Sequence, residues 1–166
     1  MNTYKPEKNN SLAIALCIAC MACAFSLFIL GGLGIGWRLG QHLAALILLV
    51  ISIEITTGFI LTNYVYEIST EYGSADLIVT KIGGSRSMAV CNIGADSVVT
   101  VERAGKLREF EQRYGKMDTR YNYISNLRPQ TVIWIHFIHN EKKVLVAIEG
   151  NEQFLAQLLH YFPHAQ

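Results

Sequence analysis

Charge is what this sequence has least of. Only 16% of its 166 residues are charged, against about a quarter in an ordinary soluble domain. The shortage is local. Between Lys8 and Glu67 the only formal charges are Arg38 and Glu54. From Glu67 onward eleven Lys/Arg face eleven Asp/Glu. That neutral balance gives no basic footprint and argues against nucleic acid as a partner. Cysteine is also scarce. Three of the four, Cys17, Cys20 and Cys23, lie in one apolar run, and Cys91 stands far away. No disulfide framework follows from that pattern. Cysteines three apart on a helix drift by about 60° per step, so they do not converge on one metal and read as packing.

Catalytic patterns are missing too. No G-x-S-x-G and no paired-carboxylate pattern occurs. His136 and His139 are three apart, which in a strand sends them to opposite faces. His160 and His164 flank Pro163 near the end. Cys91 has no evident base near it in the chain and reads as buried packing. Neither a metal site, a cofactor nor an enzyme is expected. The glycine-rich stretch GGLGIGWRLG, residues 31–40, is the nearest approach to a nucleotide loop. Its Gly32 and Gly34 fit the start of G-x-G-x-x-G, but Trp37 holds the last place and no Gly-Lys-Ser/Thr follows. It reads as a turn with an interfacial Trp37 and Arg38, or as a smooth strip of Gly32, Gly36 and Gly40.

What is present explains that stretch. Ser11 to Leu33 is uncharged, and Leu43 to Thr62 contains one charge. Each is about 20 residues, enough to cross a hydrocarbon core of roughly 30 Å. The first run is longer than the apolar core of a signal peptide, and a second follows at once, so a retained helix is expected. Residues 1–10 then form a tail, 11–62 a transmembrane helical hairpin and 63–166 a separate domain. Lys5 and Lys8 precede the first span and basic residues follow the second. The positive-inside rule therefore puts both termini in the cytoplasm of a multi-pass cell-membrane protein. Glu54 falls near the middle of the second run, where a carboxyl needs neutralisation or a partner. Thr57 shares its helical face. Self-association or contact with another membrane protein through Glu54 is the expectation.

The remainder alternates. Seven strands are expected: Tyr64 to Thr70, Asp76 to Ile82, Arg86 to Ile93, Ser97 to Arg103, Tyr121 to Ser125, Thr131 to Ile138 and Lys143 to Glu149. A helix follows from Asn151 to Tyr161, with Asn151 as cap and Pro163 as stop. Between the fourth and fifth strands, Arg103 to Arg120 holds six basic and three acidic residues. Phe110 and Tyr114 lie four apart there. With Arg108 and Arg113 they make a candidate surface for lipid head groups or a protein partner, or merely a connection.

The fold class is α+β, a small β-sandwich or partly open barrel behind a helical hairpin. The order and number of strands resemble a pleckstrin-homology-like (PH-like) domain. The whole chain resembles small bacterial two-span membrane proteins of unknown function. The matching residues are Tyr64 to Ile68, Asp76 to Val79, Tyr121 to Tyr123 and the closing Glu149 to Glu152 with Leu155, Leu158 and Leu159. The resemblance implies a layout and no activity. One departure is that the turn Ile82 to Arg86 offers only Lys81 and Arg86 where lipid-binding PH-like domains cluster basic residues. The expected function is a membrane-tethered binding or adaptor module. The alternative is a small transporter or channel subunit working through Glu54.

Overall fold

Two apolar helices dominate the first third of the chain. The computed structural model describes residues 2–70 and 74–162. Helix α1 (Ser11–Gly32) and helix α2 (Arg38–Ile55) form an antiparallel pair, and α2 continues as a wider π turn (Thr56–Ile60). Both are long and apolar enough to cross a membrane. Twenty-two residues make α1 about 33 Å long. Only 11% of each apolar window is buried, which is unlike the core helix of a soluble protein.

The seam between them is built from small residues. Ala13, Ala24, Gly31, Ala45 and Ser52 are the buried positions, which lets the backbones approach. Cys17 Sγ lies 3.0 Å from Ser52 Oγ and 3.3 Å from Thr56 Oγ1. The cysteine is therefore a packing and weak hydrogen-bonding group. The glycine stretch is the turn. Gly34 and Gly36 have φ of 74° and 84°, values that a Cβ disfavours. No continuous helical strip through Gly32, Gly36 and Gly40 exists.

The chain divides into two compact units: Asn9–Thr62, and the residues up to Lys8 together with those from Asn63 onward. The second unit is α+β. Its strands are β1 (Asn2–Tyr4), β2 (Thr62–Ser69), β3 (Asp76–Gly83), β4 (Arg86–Gly94), β5 (Val98–Arg103), β6 (Thr119–Tyr123), β7 (Thr131–His139) and β8 (Lys142–Gly150). Helix α3 (Leu107–Tyr114) precedes β6, and α4 (Glu152–Tyr161) follows β8. One sheet runs β1-β2-β3-β4 and the other β5-β7-β8-β6.

One of these features differs from expectation, and two add detail that the sequence left open. Eight strands are described against the seven expected. The additional one is β1, inside the residues read as a tail, and it pairs antiparallel with β2, Tyr4 opposite Tyr66. The connection after β5 contains α3, which begins at Leu107 and stops at Gly115, φ 84°. And β6 pairs in parallel with β8, so it is reached by a crossover through α3 rather than by a hairpin. The β7–β8 hairpin turns at Asn140 and Glu141, both with positive φ, as a two-residue turn matched to strand twist requires.

The core lies between the two sheets. Tyr66, Ile68, Leu77, Val79 and Ile93 meet Ile133, Ile135, Val146 and Ile148, and Phe154 and Leu158 of α4 close the stack. Each such buried side chain is worth roughly 1.5–3 kcal/mol. Asn151 caps α4, its Oδ1 accepting from Phe154 N–H at 2.8 Å. The expected stop at Pro163, and His164, lie outside the described residues.

Candidate functional site

Three places bear on function: the α3 surface, the Glu54 face and a cleft between two strand edges. The first begins from pleat alternation. Ile133, Ile135 and Phe137 of β7 enter the core, so Trp134 and His136 point to the opposite face of the sheet. There they meet α3. Phe110 is fully buried and forms a second small cluster with Met117 and Leu145. Its ring lies 5.2 Å from Trp134 edge-on and 4.8 Å from Tyr114.

Polar contacts fasten α3 from several sides. Arg113 makes a two-pronged pair with Glu102, at 2.7 and 2.9 Å. Glu111 accepts from Arg120 at 2.6 Å. Lys143 Nζ donates to Tyr114 O at 2.8 Å. The candidate surface is thereby largely self-occupied. Phe110 is unavailable for a partner, Tyr114 is packed on the sheet, and Arg113 already holds a carboxylate. Arg108 and Arg113 are both exposed, and of these two only Arg108 has no ion pair among the described residues.

Beneath α3 sits a group that periodicity did not single out. His136 is 2% exposed, and neither ring nitrogen has a hydrogen-bond partner among the described residues. Tyr114, 5.8 Å away between centroids, and Phe110, at 6.1 Å, cover it. Burial, and then the Lys143 ammonium, hold its pKa below the ordinary 6.5. The imidazole is favoured neutral in the folded chain. As pH falls through 6.5 the unfolded chain takes up this proton first, so stability declines there and is flat above it. Unfolding midpoints between about pH 8 and about pH 5, followed by Trp134 fluorescence in a Trp37→Phe background, should show this loss. His136→Phe should shallow the slope and leave the protein as stable or more so, because an unpartnered polar group is removed.

The second place is α2. Glu54 is exposed on the helix surface and Thr57 lies beside it, also exposed. The span extends back to Arg38, so its midpoint is Leu49 and Glu54 stands about 7–8 Å beyond it, not at the centre. Thr57 Oγ1 is occupied by the carbonyl of Ile53 at 2.9 Å. Its proton is therefore not directed at the Glu54 carboxyl. Glu54 faces away from α1, whose seam is made by Ser52 and Ala45.

The third place was not foreseen as a site. Strands β4 and β6 are the terminal strands of their sheets. A cleft of about 250 Å³ lies between them, lined by Val90, Cys91, Asn92, Tyr121, Tyr123, Phe137, His139 and Val144. A bulge shapes one wall. Cys91 is opposite Val79 and Ala89 opposite Thr80, which leaves Val90 as an extra residue. The extra residue turns Val90 and Cys91 into the cleft together. Tyr121 and Tyr123 form the other wall, their rings parallel within 2° at 5.9 Å. Burial raises the Cys91 thiol pKa, and burial followed by Cys91 and neighbouring tyrosines pushes Tyr123 up to about 12. Both groups are neutral near neutrality. The lining offers apolar contact and hydrogen bonds, not an activated nucleophile.

A buried carboxylate lies elsewhere in this unit. Glu149 accepts from Asn126 Nδ2 at 2.7 Å and from Asn126 N–H at 3.3 Å. Asn126 Nδ2 also donates to Glu7 O at 2.9 Å. The cluster pins the N-terminal segment to the sheet. No group of residues able to hold a metal is found among the described residues. No family model, no curated protein and no solved structure matches the chain.

Proposed function

We propose that this protein is a membrane-tethered binding module. The observation that carries it is the pairing of β1 with β2. The folded α+β unit takes strands from both sides of the apolar hairpin, so both ends of that hairpin return to one side. Lys5 and Lys8 favour the cytoplasmic side, and tethering there raises the module's effective concentration near other membrane-associated proteins. Two sheets closed by a C-terminal helix support the PH-like reading of the unit; β1 and the parallel β6–β8 pair are additions to that pattern. With the α3 aromatics buried, the exposed strand edges are the stronger contact surface. The test is purification in mild detergent of the whole chain beside a chain lacking Glu67 to Gln166. A partner retained only by the whole chain is the expected outcome; one retained equally by the hairpin would overturn the assignment.

A second reading is favoured by Glu54. An unpartnered carboxyl on an apolar helix surface is stabilised by a hydrogen bond across a helix interface. Self-association through that face is the form we propose, with an accessory role in a transporter or channel complex as the alternative. Glu54→Leu should shift the chain toward monomer in detergent sedimentation, by a roughly fivefold weaker association for about 1 kcal/mol. An unchanged distribution rules this interface out.

A further inference from the structure

Two glycines bracket helix α3. Gly105 stands before it, and Gly115, with φ 84°, ends it. The backbone beyond each glycine is tied to the second sheet. Ala104 N–H donates to Val132 O at 2.8 Å, and Asp118 N–H donates to Lys143 O at 2.9 Å. Between those two bonds, residues 105–117 make no backbone hydrogen bond to the sheets among the described residues. Their main-chain bonds stay inside the segment, such as Phe110 N–H to Lys106 O and Gly115 N–H to Glu111 O. The segment is a strap, and its end glycines allow backbone rotation at low cost.

Side chains alone hold the strap down. Phe110, Met117 and Leu145 form a cluster separate from the core between the sheets. Two of those three belong to the strap. The polar links to the sheet are Arg113 to Glu102, Glu111 to Arg120, Lys143 Nζ to Tyr114 O, and the Tyr114 hydroxyl to Thr100 Oγ1 at 3.4 Å. The two ion pairs reach across exposed surface, where water screens them. Lifting the strap therefore breaks one small cluster and leaves the main core intact. That is the condition for a local opening that costs less than global unfolding.

One group beneath the strap opposes closure in acid. His136 is buried, neither ring nitrogen has a partner among the described residues, and the rings of Phe110 and Tyr114 cover it. Thr100 of β5 and Leu145 of β8 stand opposite it in the sheet, and neither is charged. The charge acting on the imidazole is the Lys143 ammonium from β8, which has the same sign as a protonated ring. The carboxylates of the surrounding elements are engaged elsewhere. Glu102 of β5 holds Arg113, Glu111 of α3 holds Arg120, Glu109 of α3 holds Lys106, and Asp118 accepts from Lys143 N–H. A proton on His136 thus puts a cation under aromatic rings, beside a second cation, with no acceptor to receive it. Water would solvate that cation once the strap lifts.

We propose that residues 105–117 form an acid-released strap: a proton on His136 lifts α3 from the outer face of β7 and β8. Opening bares Trp134, Leu145 and Phe110, an apolar face that is hidden near neutrality. The device does not depend on what the module binds.

Hydrogen exchange on the whole chain in nanodiscs tests it. An isolated helix of eight residues does not persist in water, so the amides of α3 exchange whenever the strap lifts. Their protection, corrected for the intrinsic pH dependence of exchange, should fall about three- to tenfold between about pH 7.5 and about pH 5.5, because a freed imidazole titrates near its ordinary value of about 6.5. The amides of Ile133 and Ile135, in the main core, should stay more strongly protected than α3 at both pH values. His136→Phe should abolish the fall in α3. His136→Gln, neutral throughout, should do the same, and it covers the case in which the larger ring disturbs packing. Protection of α3 that does not change with pH, that falls equally in both variants, or that only matches the core amides overturns the proposal.

Discussion

Phe110→Ala should destabilise the α+β unit by about 3 to 5 kcal/mol, the range for emptying a fully buried aromatic site. Phe110 has 0% exposure and is the centre of the cluster that holds α3 on the sheet. The polar fasteners do not offset its loss. Arg113 and Arg120 reach their partners across solvent-exposed surface, where ion pairs are worth about 0–1 kcal/mol each. Denaturant unfolding of the chain in micelles, read by Trp134 in the Trp37→Phe background, measures the loss directly. Trp134 packs edge-on against Phe110, so its emission should also shift to the red in the folded variant. A change under 1 kcal/mol (roughly the surface range) would mean that α3 is not held by this cluster.

The second large effect is expected far away in sequence. Tyr4→Ala should cost about 2 kcal/mol, less than a core aromatic because Tyr4 is only half-buried. Its ring stacks on Phe154 at 4.7 Å and on Tyr66 at 6.3 Å. It therefore joins β1 to both β2 and α4. Deleting residues 2–7 should cost more, since it also removes the β1 ladder and leaves Asn126 Nδ2 without the Glu7 carbonyl. Hydrogen exchange of the Thr62–Ser69 amides provides the local readout. Faster exchange there, with α1 and α2 unchanged, is expected; uniform protection would show that β1 is dispensable. The functional weight is topological. The β1–β2 pairing ties both ends of the hairpin to one folded unit, an argument that the two ends share a side; the lysines bear only on which side that is.

How much of this was legible in the chain depends on the length of each pattern. The apolar runs were legible because some twenty uncharged residues have few other uses. The glycine turn was legible because positive φ at Gly34 and Gly36 has a residue-level signature. The strands from Tyr64 to Glu149 showed themselves by alternation, and Asn151 announced the last helix as its cap. Each of these signals is local, carried by residues within one element.

The rest is not local. Asn2–Tyr4 is too short for any period, and it becomes a strand only because β2 offers an edge about sixty residues later. The segment Leu107–Tyr114 looked like a charged surface, since its Phe110 and Tyr114 could face water or protein with equal sequence logic; the outer face of β7 and β8 decided that they are buried. Glu54 was visible as a lone carboxyl, but its exposure depends on which side of α2 meets α1, and Ser52 and Ala45 took that seam. The β6 edge and its cleft exist because a crossover through α3 lays Thr119–Tyr123 parallel to β8, and a one-residue bulge at Val90 turns β4 toward it. By itself the sequence determined the elements and the apolar hairpin, through periodicity and turn chemistry. The tertiary structure alone decided which edges are left open and which charges are spent, because those follow from pairings between residues far apart in the chain.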